Sequence, residues 1–150
     1  MKLLRKPPVH AAIVSAVSLF YAFVFIVISG HIEFERILSR AGTVNGAFWN
    51  GWSAFLKAGN MRYIGYAYLL LTLAIVLLSL GRKRDYDEYQ TSIFGKGVMA
   101  MGAALVLLFP IALLMVLSIP AYAAETLLFL VTVHWSIVLC VDLIYVIRCR

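Results

Sequence analysis

Four long apolar runs organise this chain: residues 9–29, 61–80, 98–119 and 126–147. Each is about twenty residues long, and at about 1.5 Å of rise per residue a helix of that length crosses a hydrocarbon core of roughly 30 Å. In lipid every backbone polar group must be satisfied internally, and a helix does this within one segment. The pattern therefore predicts an all-α integral membrane protein, a single domain built as a bundle of four transmembrane helices.

The first loop, residues 30–60, is too polar and too punctuated to span. Its first half places Phe34, Ile37, Leu38 and Ala41 on one helical face and Glu33, Arg36 and Arg40 on another. Asn45-Gly46 and Asn50-Gly51 are turn signals. Around them Phe48, Trp49, Trp52, Phe55 and Leu56 oppose Asn50, Ser53 and Lys57. This predicts an amphipathic helix lying in the outer membrane interface, where Trp and its neighbours sit at headgroup level. The same aromatic surface could serve a partner or act as a lid.

The second loop, residues 81–97, is charged. Asp85 followed by Glu88 has the spacing of a capping box that would start the third helix. A helix begun there would pair Lys83 with Asp87 and Arg84 with Glu88, and put Tyr86, Tyr89 and Ile93 on one face. Pro110 falls inside the third run and is expected to kink it by freeing the Val106 carbonyl. Pro120 ends that run, and a short turn to Glu125 makes the third and fourth helices an antiparallel hairpin.

Composition agrees with this solvent. The chain is 63% hydrophobic and 13% charged, with mean hydropathy +0.94. Its net charge of +6 comes with a lopsided distribution. Lys2, Arg5, Lys6, Arg82, Lys83, Arg84, Lys96, Arg148 and Arg150 fall on one side of the threading, against Arg36, Arg40, Lys57 and Arg62 on the other. The excess predicts an N-in, C-in, multi-pass topology in what is expected to be a prokaryotic cytoplasmic membrane. Basic residues beside anionic headgroups explain the charge without nucleic acid. The first run is too long for a signal-peptide core and lacks a cleavage site. Cys140 and Cys149 suggest neither a disulfide framework nor a zinc site, so no metal or cofactor is expected.

The fourth run holds the polar residues. Thr132, Ser136 and Cys140 repeat at helical spacing, His134 sits near the middle, and Asp142 lies toward the basic end. An acidic residue at a helix centre costs up to roughly 3 kcal/mol of insertion free energy, so Asp142 should face protein and be paired or protonated. His134 is about 12 Å along the axis from it and cannot be its partner. His10 and Lys96 are the candidates at the right depth. His134, Asp142, Ser136 and Thr132 form a candidate intramembrane polar site, with a proton relay as its sharpest reading. No catalytic carboxylate pair, nucleophile elbow or phosphate-cradling loop accompanies it.

Glu35-Arg36-Ile37-Leu38-Ser39-Arg40-Ala41 with Asn45, and Arg62-Tyr63-Ile64-Gly65-Tyr66, resemble motifs of the MAPEG family. The resemblance implies a four-helix membrane enzyme that handles glutathione and lipids as a trimer. In this chain Arg40 comes one residue late, and the tyrosine motif opens a span where the family's closes one. The reading of the residues themselves favours a non-enzymatic accessory or structural subunit, or a small transporter-like oligomer. Its expected partners are the bilayer and either further copies or another membrane protein.

Overall fold

The computed structural model describes residues 6–29, 31, 37–38, 46–82 and 84–149, and every regular element among them is helical. They form α1 (Pro7–Ile28), α2 (Ala47–Lys57), α3 (Met61–Leu80), α4 (Glu88–Ser118), a 3-10 turn (Pro120–Tyr122) and α5 (Ala123–Arg148). α1, α3, α4, and α5 with its leading turn, are long and apolar enough to cross a membrane. Most of the amphipathic pattern expected over residues 31–40, and the first of the two family-like motifs, lie outside the described residues.

α1 begins on Pro7 and Pro8, where a missing N–H costs nothing. α4 begins differently from expectation. Its capping box is formed by Asp87 and Gln90: Gln90 N–H donates to Asp87 Oδ1 at 2.7 Å, and Asp87 N–H donates to Gln90 Oε1 at 3.1 Å. Residues 85–87 are not helical, so Arg84 and Glu88 do not share one helix, and Lys83 lies outside the described residues. Tyr86, Tyr89 and Ile93 are separated as well. Tyr86 precedes the helix and is buried, Tyr89 is exposed, and Ile93 is half-buried. α4 stays helical through Pro110 and starts ten residues before its apolar run. Its 31 residues are roughly 46 Å long, well beyond one hydrocarbon thickness.

The most extensive packing is between α1 and α3. Small residues make it close. A Cβ added to Gly65 would meet Ile26 Cγ1 at 3.0 Å and the Ala22 carbonyl oxygen at 3.1 Å. Ala22 and Ser18, two small residues at i, i+4, are both buried. Elsewhere along the pair a groove of about 230 Å³ is lined by Ser15, Leu19, Leu69, Thr72, Leu73 and Val76. Gly59, with φ +70°, turns the chain between α2 and α3, and its Cα side lies against the Ser29 carbonyl, leaving no room for a side chain.

α5 packs against α3, and α4 packs along α5. Phe25, Tyr68, Ile75, Trp135 and Leu139 therefore form a core enclosed by α1, α3 and α5. α4 flanks that core: Ala112 is its one buried residue, and Val98, Met99, Val106, Phe109 and Leu114 are exposed along it. The arrangement is three enclosing helices with a fourth laid against the last of them.

Candidate functional site

α5 carries polar groups at three depths, and at each depth a different element reaches it. At the end of the bundle that holds the start of α1 and the end of α5, His10 Nε2 lies 2.7 Å from Asp142 Oδ1. Both residues are buried, with exposures of 3% and 2%. The two proline residues start α1 early enough to bring His10 in its first turn to this level. Three rings surround the imidazole edge-on: Phe94 of α4 at 5.3 Å, Tyr145 of α5 at 5.7 Å and Tyr86 of the α3–α4 loop at 6.1 Å between centroids.

The loop is strapped over this pair. The Arg82 guanidinium sits over the Tyr86 ring, 4.7 Å from its centroid. Arg82 Nε donates to the Arg84 carbonyl at 2.9 Å and its Nη2 donates to Gln90 Oε1 at 2.6 Å. Gln90 in turn donates to the Cys149 carbonyl at 3.3 Å, tying the start of α4 to the end of α5. Burial pushes the Tyr86 phenol above its ordinary range, with the neighbouring Ser79 hydroxyl and Arg82 pulling the other way. Burial also pushes the Cys149 thiol up, against Arg82. Five buried polar atoms here have no well-formed hydrogen bond among the described residues: His10 Nδ1, Asp142 Oδ2, Ser79 Oγ, Tyr86 Oη and Arg82 Nη1.

At mid-helix the partner is α3. Tyr68 O–H donates to the Thr132 carbonyl at 2.7 Å, and the Ser136 hydroxyl is 3.0 Å from the same phenol oxygen. With the phenol proton committed to the carbonyl, Ser136 is the donor of that second bond. Cys140 does not continue the stripe; it is exposed.

At the far end the partner is α2. Glu125, the third residue of α5, is fully buried. Ser53 Oγ donates to its Oε1 at 3.0 Å, and Trp52 Nε1 donates to its backbone carbonyl at 3.0 Å. One turn earlier Tyr122 O–H donates to Asn50 Oδ1 at 2.7 Å. The expected division of α2 into an aromatic face and a polar face is thus redrawn. Ser53 is buried because a carboxylate awaits it, and Phe48 is exposed. Trp52 and Phe55 stack at 5.4 Å, and Trp52, Trp49 and Phe48 all meet the Phe129 ring of α5 at 5.3–6.0 Å.

The sequence candidates therefore fall in separate places. His10 joins Asp142, whereas Lys96 is exposed on α4. Ser136 and the backbone of Thr132 meet Tyr68, while Thr132 Oγ1 is unpaired among the described residues. His134 is half-buried, with no described partner at Nδ1, and belongs to none of the three contacts. Glu125 and Tyr68 were not singled out by their sequence, and Ser53 and Tyr86 were placed on helix faces but not in a site. Glu125 carried one usable signal, an acid set directly against the start of an apolar run. Among the described residues no three His, Cys, Asp or Glu side chains are grouped to hold a metal. Of the second family-like motif, Arg62 and Tyr63 lie exposed at the start of α3, the guanidinium 5.2 Å from the ring centroid. Comparison with protein families, with curated proteins and with solved structures finds no match to this chain.

Proposed function

We propose that this is a non-enzymatic membrane protein, an accessory or structural subunit with both ends of the bundle's basic side, and hence α1's start and α5's end, toward the cytoplasm. One observation carries the reading: α5 is held at three successive depths by α1, α3 and α2, through His10–Asp142, Tyr68–Ser136 and Ser53–Glu125. Polar contacts between helices in an apolar medium specify register more than they add stability. Both buried carboxylates of α5 are used in that way. α4, flanking and apolar on its outward side, supplies a surface for lipid or for another membrane protein. The expected location remains a prokaryotic cytoplasmic membrane.

A small transporter-like oligomer is the second reading, favoured by the unpaired polar atoms around His10 and Asp142. The two separate by experiment. Sizing in detergent and in lipid nanodiscs gives self-association for the transporter reading, whereas a monomer counts against it. A thermal-shift screen with glutathione, phospholipids, ions and nucleotides adds a third arm, since a ligand that binds the native state raises the melting temperature. An accessory subunit is expected to respond to none of the small molecules. A shift with glutathione would overturn the non-enzymatic reading in favour of the family resemblance.

A further inference from the structure

The group of buried polar atoms beside His10 that lack a well-formed hydrogen bond among the described residues asks for more than a clasp. Four of the five belong to residues at most 3% exposed, His10, Asp142, Ser79 and Tyr86, and they come from α1, α5, α3 and the α3–α4 loop. Buried polar atoms without partners are rare in proteins and are ordinarily served by ordered water. An acid and an imidazole sharing a hydrogen bond within a membrane-spanning bundle also make a general proton-holding unit.

We propose that the His10–Asp142 pair is a hydrated proton-exchange site that opens toward the cytoplasm alone and is closed in this conformation by Tyr86. One proton enters from cytoplasmic water, is held between the carboxylate and the imidazole, and leaves by the same route; no other bond forms or breaks. The site adds to the clasp role proposed above and uses the orientation proposed there.

The surroundings assign the exchange to this pair. Facing His10 are Asp142 and Tyr145 from α5, Tyr86 from the loop and uncharged Phe94 from α4, and around Tyr86 in turn stand Arg82, Cys149 and uncharged Ser79. Phenols hold their protons at neutral pH and Arg holds its charge. Burial pushes Tyr86 and Cys149 further up.

The geometry makes the site one-sided. Toward the bundle interior the fully buried apolar side chains of Ile75 on α3 and Leu139 on α5 lie between the pair and Tyr68–Ser136. Six residues of α5, roughly 9 Å, separate Ser136 from Asp142. Toward the basic end, among the described residues, Tyr86 lies against the imidazole under the Arg82 strap, and residues 84–87 are not helical.

Infrared pH-difference spectroscopy of the full chain in lipid tests this. A carboxyl signal is expected that vanishes in Asp142→Asn, shifts in His10→Gln and survives in Glu125→Gln, the control for the other buried carboxylate. Tyr86→Ala is expected to speed its exchange into heavy water by roughly tenfold or more, while Tyr86→Phe, which keeps the ring, leaves it slow. In vesicles with the protein oriented one way, the signal should follow pH on the basic side alone. Superimposable spectra for the parent and a folded Asp142→Asn would overturn the proposal. So would an unchanged spectrum in His10→Gln, which stands in should Asp142→Asn not fold. A proton leak across the vesicle that disappears in either variant would overturn the one-sidedness. Melting temperatures of the same variants report on the clasp separately, so failure of the exchange site and failure of the structural reading give different results.

Discussion

Asp142 and Glu125 are carboxylates buried on the same helix, yet their neighbourhoods solve different problems. Glu125 stands in the first turn of α5, where unsatisfied N–H groups and the positive end of the helix dipole favour an anion. A serine hydroxyl from α2 donates to it, with the stacked Trp52 and Phe55 nearby. Asp142 is far from that end, among apolar residues, and receives no such help. Its partner is an imidazole, a group able to carry the compensating charge. The lesson is positional: Glu125 has the helix terminus on its side, and Asp142, without it, has an imidazole.

The comparison breaks most visibly at His10. His10→Ala strands the Asp142 carboxyl and is expected to cost about 3–5 kcal/mol of stability, measured by unfolding in lipid or mild detergent. Replacing both partners with apolar residues of similar size should recover most of that loss. A loss below about 1 kcal/mol for the single variant would mean that the contact does not hold α1 to α5. At the other end Ser53→Ala is expected to cost less, about 1.5–3 kcal/mol, since the helix terminus still supports the carboxylate. Should Ser53→Ala prove the costlier of the two, the positional argument fails.

Tyr68→Phe removes a neutral contact between the two charged ones. Double-mutant values for such bonds in membrane proteins average about 0.6 kcal/mol, and a similar cost is expected here. Gly102→Ala is the smallest change. An added Cβ there meets nothing within 4 Å, so the melting curve should move by less than about 0.5 kcal/mol in either direction. A large effect at Gly102 would mean that the outward side of α4 is covered in the membrane, which sizing of the same sample would register.

The four long apolar helices were legible because length and apolarity can be read directly from the chain. Asp142 was legible for the same reason, a charge standing out in an apolar run. Counting residues from the basic end narrowed its partner to His10 or Lys96. The choice between them depends on which way α1 and α4 face α5, and no periodicity records that. The cap of α4 was ambiguous at the level of letters: Asp85 with Glu88 and Asp87 with Gln90 have the same spacing, and the second forms. Glu125 was read as the end of a short turn, and Ser53 as part of the polar face of an interfacial helix. Their burial is mutual, each explaining the other, and a one-sided pattern cannot display it.

All three partners of α5 precede it in the chain. When α1, α2 and α3 have been made, His10, Ser53 and Tyr68 have yet to meet the groups that complete them. α4 supplies none of the three complements. The arrival of one late helix therefore closes every one of these contacts together, so docking of the last helix is the step that completes the bundle.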